Sequence, residues 1–109
     1  MFIMISGPYS AIKERERQNN LKKINRAAAE VAKKGHIPVV GINAALPIVR
    51  TGMFDDESKE IMRISLALAE KCDAILCLGK SKGVDMERKV FLMRDLQIFE
   101  DINDIPKVK

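Results

Sequence analysis

The chain has 109 residues, 47% of them hydrophobic and 31% charged, with a net charge of +4. Length and composition describe one folded domain with an ordinary core and argue against disorder. Aromatic residues are only 5% of the chain and the excess of positive charge is modest, which argues against a nucleic-acid-binding surface built on a basic face and stacking rings.

Phe2-Ile3-Met4-Ile5-Ser6 is a short apolar run closed by Gly7-Pro8, which predicts a strand buried on both faces. It has no basic segment before it and no cleavage-like site after it, and it is too short to span a membrane. A cytoplasmic protein without membrane partners is expected. Residues 11–17 are densely charged and read as a loop or a frayed helix start. From residue 19 to residue 34 the pattern is helical. Leu21, Ile24, Ala28 and Val31 share a face, Lys33 and Lys34 suit the C-terminal dipole, and Gly35 suits the position just past the end.

Residues 36–40 form the second expected strand, and Pro38 assigns it to an edge. Residues 41–56 contain Gly41, Asn43, Pro47 and Gly52 and show no sustained period, so a long loop with one helical turn at most is expected. Asp55 or Asp56 can cap a helix running to about residue 71. Its apolar residues, among them Ile61, Met62, Ile64 and Leu68, spread over more than one face. That calls for two covers, and a subunit interface is the simplest second one.

Residues 74–78 are the third strand, residues 79–82 a loop, residues 83–94 a helix and residues 97–99 a short fourth strand. Strands and helices in this alternation predict an α/β domain with a parallel sheet of order 2-1-3-4, flavodoxin-like, covering residues 1–109. The crevice of such a sheet lies beyond the carboxyl ends of the strands at the reversal point, here the first and third. Gly7-Pro8-Tyr9 and Ser81-Lys82-Gly83-Val84-Asp85-Met86-Glu87 therefore converge.

Within that second stretch, Gly83, Val84, Glu87, Val90 and Phe91 fall on one helical stripe. Glu87 is the single carboxylate on an otherwise small or apolar face, so it must meet a partner, a cleft or water. Ser81 can cap the helix and leaves free N–H groups that favour an anion. Asp73 and His36 read as structural residues, and Cys72 and Cys77 as buried thiols in a reducing compartment. Lys13, Arg15 and Arg17 read as a solvated face with reach to a phosphate. No phosphate-binding loop, nucleophile elbow, metal spacing or cofactor motif is present.

The ordered set Phe2 to Tyr9, Gly35-His36-Ile37-Pro38-Val39, Cys72-Asp73-Ala74-Ile75-Leu76 and Ser81 to Glu87 resembles the nucleoside 2-deoxyribosyltransferase superfamily, which includes 2′-deoxynucleoside 5′-phosphate N-hydrolases. The likeness spans nearly the whole chain. It implies a small-molecule nucleoside or nucleotide substrate, no cofactor and no metal, and a homodimer or higher homo-oligomer. It implies that Glu87 attacks the anomeric carbon of the deoxyribose and that Tyr9 contacts the sugar and orients Glu87. It places Gly7, Pro8, Ser81 and Gly83 against the substrate, with Ser81 and Gly83 at its 5′ end. The likeness departs where active relatives carry an aspartate, near Ser65, and in the bulky run Arg88-Lys89-Val90 after the nucleophile. Two other readings stand beside it. One is a nucleotide-binding protein of this fold without catalysis; the other is a protein-interaction domain using the apolar helix before the third strand.

Overall fold

β1 (Phe2–Ser6) lies at the centre of the sheet, and its residues from Ile3 to Ser6 are buried. The computed structural model describes Met1–Lys109. β2 (Ile37–Val39), β3 (Ala74–Cys77) and β4 (Gln97–Phe99) complete a parallel sheet in the order β2-β1-β3-β4. The α/β class and the strand order are those expected. Registers are tight: Ile3 lies beside Pro38 on one side and Ala74 on the other, and Leu76 lies beside Phe99. Pro38 sits on an edge strand, where a missing N–H costs least.

Alternation along β1 divides the core. Ile3 and Ile5 face α1 (Glu14–Lys33), packing with Ile24, Ala28, Val31 and, from the tail, Ile105. Met4 faces the opposite layer, with Ala69 at the end of α3 (Glu57–Ala69) and Val84 and Phe91 of α4 (Lys82–Met93). The result is three layers, with a short 3-10 turn at Ile102–Asp104 closing the α1 side.

Helix ends follow local chemistry. Asp56 caps α3 by accepting from the Lys59 N–H at 3.0 Å, and Ser81 caps α4 by accepting from the Val84 N–H at 3.1 Å. Gly35, at φ +93°, takes the left-handed turn after α1.

Two expectations are corrected. α1 begins at Glu14, upstream of residue 19. Glu14 and Glu16 lie in its positive first turn, and Arg17 pairs back to Glu14, so residues 11–13 are loop and the charged run is helical from Glu14. The second correction concerns residues 41–56. They hold a full helix, α2 (Gly41–Val49), with Pro47 inside it. Pro47 falls in the last turn, and Ala45 and Val49 are completely buried, so packing outweighs the proline and asparagine signals. α2 packs chiefly on α3. Beside it, Ile61, Met62, Ile64, Leu66 and Leu68 of α3 stay half-buried within the single chain.

Candidate active site

β1 and β3 flank the point where strand order reverses, and the chain leaves both at the same end of the sheet. Gly7-Pro8-Tyr9 follows one and residues 78–81 follow the other. The loops touch: a Cβ on Gly79 would stand 3.2 Å from the Pro8 ring, and the Leu78 N–H donates to the Ser6 carbonyl at 2.8 Å. Between them lies a chamber of about 220 Å³. Gly7, Pro8, Tyr9, Ser81, Gly83 and Glu87, the six residues that the resemblance assigns to the site, all line it. The chamber shares Tyr9, Ile42, Met62 and Gly83 with a wider outer cleft of about 970 Å³. Ligand-sized pockets run to about 300–1,000 Å³, so the outer cleft can hold a ring system while the inner chamber suits a smaller, sugar-sized group.

Glu87 is 9% exposed. The stripe that placed it inward is real, since Val84, Glu87 and Phe91 are the buried residues of α4. Its Oε1 accepts a hydrogen bond from Ser6 Oγ at 2.6 Å, and its Oε2 accepts one from Ser65 Oγ. Ser6 closes β1 and Ser65 lies in the middle of α3; both are buried. Glu87 is the single carboxylate of the inner chamber, where Tyr9 and Lys82 are the other titratable side chains. Around it, the N–H groups of Lys82 and Gly83 at the start of α4 have no acceptor within the helix, which leaves donors for an oxyanion of a ligand.

The glycines of the site have different reasons. At Gly41, a Cβ would collide with Ser65 Oγ and lie 2.8 Å from Ser65 Cβ. At Gly7, a Cβ would meet Ile24 at 3.0 Å. At Gly83 the nearest atoms would be 3.7 Å away, ordinary contact, and the backbone is not left-handed. Nothing in the protein excludes a side chain at Gly83. The bare surface it gives is on the chamber side.

The outer cleft carries charge of both signs. Glu14 accepts from Arg17 at 2.6 Å and lies 3.3 Å from Arg50 at the end of α2. The hydrogen bond from Arg17 holds the Glu14 carboxyl below the usual carboxylate range. Arg17 also donates to the Ala11 and Ile12 carbonyls and so pins the loop after Tyr9. Of the basic set read as a solvated face, Arg17 lines the cleft; Lys13 and Arg15 line neither space. Asp56, Glu57 and Lys59 contribute from the start of α3.

Other candidates fall outside the site. Asp73 accepts from the Phe2 N–H at 2.8 Å, a structural cap. His36 bridges the Met1 amine and the Pro106 carbonyl, at 3.1 and 2.7 Å. Cys72 and Cys77 are free and buried, and burial pushes both thiols up to about 11. No group of three or more His, Cys, Asp or Glu is placed to hold a metal ion, and no helix is long and apolar enough to cross a membrane.

A family model described as a domain of unknown function, DUF4406, matches residues 1–100. The chain belongs to the DUF4406 family. Every residue lining the two spaces of this DUF4406 domain falls within the matched part. Comparisons with curated proteins and with solved structures return no match.

Sequence reasoning missed five contributors. Ser6 read only as the last residue of a strand, and Ser65 entered only as a departure from a resemblance. Ile42, Leu46 and Arg50, which line the cleft, were hidden in the supposed loop. A signal for α2 existed in Ala45 and Val49, spaced for one helical face.

Proposed function

We propose that this chain cleaves, or transfers across, the N-glycosidic bond of a 2′-deoxynucleoside or its 5′-monophosphate, with Glu87 as nucleophile. The observation that carries the reading is a buried carboxylate lining a sugar-sized chamber beside Tyr9, at the crevice between β1 and β3. The resemblance to the nucleoside 2-deoxyribosyltransferase superfamily points to the same two residues.

The chemistry suits the setting. One Glu87 oxygen attacks C1′ through an oxocarbenium-like transition state. The C1′–N bond breaks, its electron pair passes to the base, and the base takes up a proton as it leaves. The resulting glycosyl ester is opened at C1′ by water in hydrolysis or by a ring nitrogen of a second base in transfer, which restores the carboxylate. The deoxyribose occupies the inner chamber, its 5′ end against Ser81 and Gly83. The base extends into the outer cleft over Ile42, Ile61 and Met62. Gly7 and Pro8 shape the near wall, and Tyr9 stands where the two spaces meet.

One observation favours a second reading, a nucleotide-binding protein without turnover. The position beside Glu87 is taken by the Ser65 hydroxyl, and the other carboxylates, Glu14, Asp56 and Glu57, line the outer cleft instead of the chamber that holds Glu87. A single experiment separates the two. The protein is incubated with each deoxynucleoside and deoxynucleoside monophosphate, and free base is measured beside a Glu87→Gln control. Base release that disappears in the control supports the glycosidic reading. Ligand binding without release selects the second. Full activity in Glu87→Gln removes Glu87 from the mechanism.

A further inference from the structure

Glu87 is held from two directions by groups that belong to other layers of the fold. Ser6 reaches its Oε1 from the end of β1, and Ser65 reaches its Oε2 from α3. Ser6 lies on the same side of β1 as Met4, toward α3 and α4, by the two-residue alternation of a strand. The serines are 2% and 3% exposed, so neither hydroxyl has bulk water as an alternative partner. A buried hydroxyl is costly unless bonded, and both are bonded to the same carboxylate.

The packing around Ser65 is fitted to this contact. Gly41 opens α2 directly beside it, and any Cβ there would collide with the Ser65 hydroxyl. The Gly41 backbone is not left-handed, so the turn does not need glycine for conformation. It needs glycine for room. A glycine at a helix start, a serine in mid-helix and a serine at a strand end thus converge on one side chain.

We infer that Ser6 and Ser65 are positioning residues that fix the Glu87 carboxylate, and that Gly41 is bare so that Ser65 can reach it. Each carboxylate oxygen gives one acceptor site to a serine and keeps a second. The pair removes the rotational freedom of a side chain with three rotatable bonds and sets the plane from which an oxygen meets C1′. Misplacing a reacting group by about 1 Å costs on the order of 100-fold in rate, so the clamp is felt in turnover more than in affinity. The kinetic part of this inference rests on the glycosidic reading; the clamp itself does not.

The test uses Ser6→Ala and Ser65→Ala, singly and together, with thermal melts to confirm folding. Base release is followed from the four common 2′-deoxynucleoside 5′-monophosphates. Each single variant is expected to lose about 10- to 100-fold in kcat while KM stays within about threefold of wild type. In a second arm, protein labelled with 13C at glutamate Cδ is examined by NMR, the Glu87 resonance being the one lost in Glu87→Gln. That resonance is expected to move in both serine variants. A melt-matched double variant with full kcat overturns the inference, as does a rise in KM alone, which would place the serines on the substrate. If the wild type releases no base from any of the four nucleotides, the glycosidic reading falls and the NMR arm alone decides. A Glu87 resonance unmoved by either serine substitution then overturns the clamp, and a moved one upholds it.

Discussion

Ser6 and Glu87, 81 positions apart in the chain, meet through a buried hydrogen bond of 2.6 Å. The contact joins the end of the central strand to the first turns of α4 across the reversal point of the sheet. It exists only because β1 and β3 are neighbours and α4 follows β3, so the topology that builds the crevice also brings the carboxylate to its hydroxyl. Length is then the sensitive variable. Glu87→Asp keeps the charge but shortens the arm by one methylene, which withdraws the oxygens from both serines. The expected result is a loss of about 100-fold or more in base release, with a lowered melting temperature because two buried hydroxyls lose their acceptor. Activity near wild type in Glu87→Asp would show that placement of the carboxylate is unimportant.

Gly41→Ala tests the room around Ser65 from the other side. The new Cβ would lie 2.8 Å from Ser65 Cβ, so α2 and α3 must separate or Ser65 must turn from Glu87. Overpacking of this kind costs about 1–3 kcal/mol. A chemical denaturation curve should show that loss, and kcat should fall with it. Adding Ser65→Ala to Gly41→Ala should cost little further activity, since the serine contact is already gone. Full additivity of the two in kcat would break the link between the residues.

How far all this could be read from residue order depends on where each signal lives. The strands were legible because continuous apolar runs such as Phe2 to Ser6 carry their own burial pattern, and the crossovers between them admit few arrangements. Glu87 was legible because a carboxylate on an apolar stripe is a local contradiction. α2 was not. Gly41, Asn43 and Pro47 are loop signals in isolation, and what overrides them is nonlocal: the packing of Ala45 and Val49, and the space Ser65 takes beside Gly41. Ser6 was missed for the same reason, since its partner lies at the far end of the chain.

The two thiols give a prediction about pH. Burial is the first cause that lifts Cys72 and Cys77 from an ordinary 9.0 to about 11, and the neighbouring Asp73 adds to it at Cys72. In the unfolded chain both would ionise near the ordinary value. The folded state therefore binds these protons more tightly, and their contribution to stability is complete below about pH 9. It is lost as pH rises through about 11. Melting temperature should accordingly decline across that window, and less steeply in Cys72→Ala with Cys77→Ala once their own packing losses are subtracted at pH 7. At neutral pH a thiol reagent should label the native protein only at the rate at which it opens. Fast labelling of either cysteine in the native state would contradict the burial seen here.

Gly83→Ala separates what the fold needs from what a ligand needs. Gly83 sits in the first turn of α4 with ordinary helical backbone, and an added methyl would find its nearest neighbour, the Met62 sulfur, at 3.7 Å. Alanine suits a helix better than glycine by up to about 1 kcal/mol, so the variant should melt at or slightly above the wild-type temperature. The same methyl would stand beside Met62 and Ser81, on a residue that lines both the chamber and the outer cleft. If a substrate's 5′ end rests on this bare turn, affinity for a deoxynucleoside monophosphate should fall about tenfold or more while the fold gains. Calorimetric titration with the four monophosphates, alongside a melt, reads both quantities on one sample. An unchanged affinity in a stabilised protein would mean that the ligand does not touch Gly83, and the 5′ end would have to be placed elsewhere along the cleft.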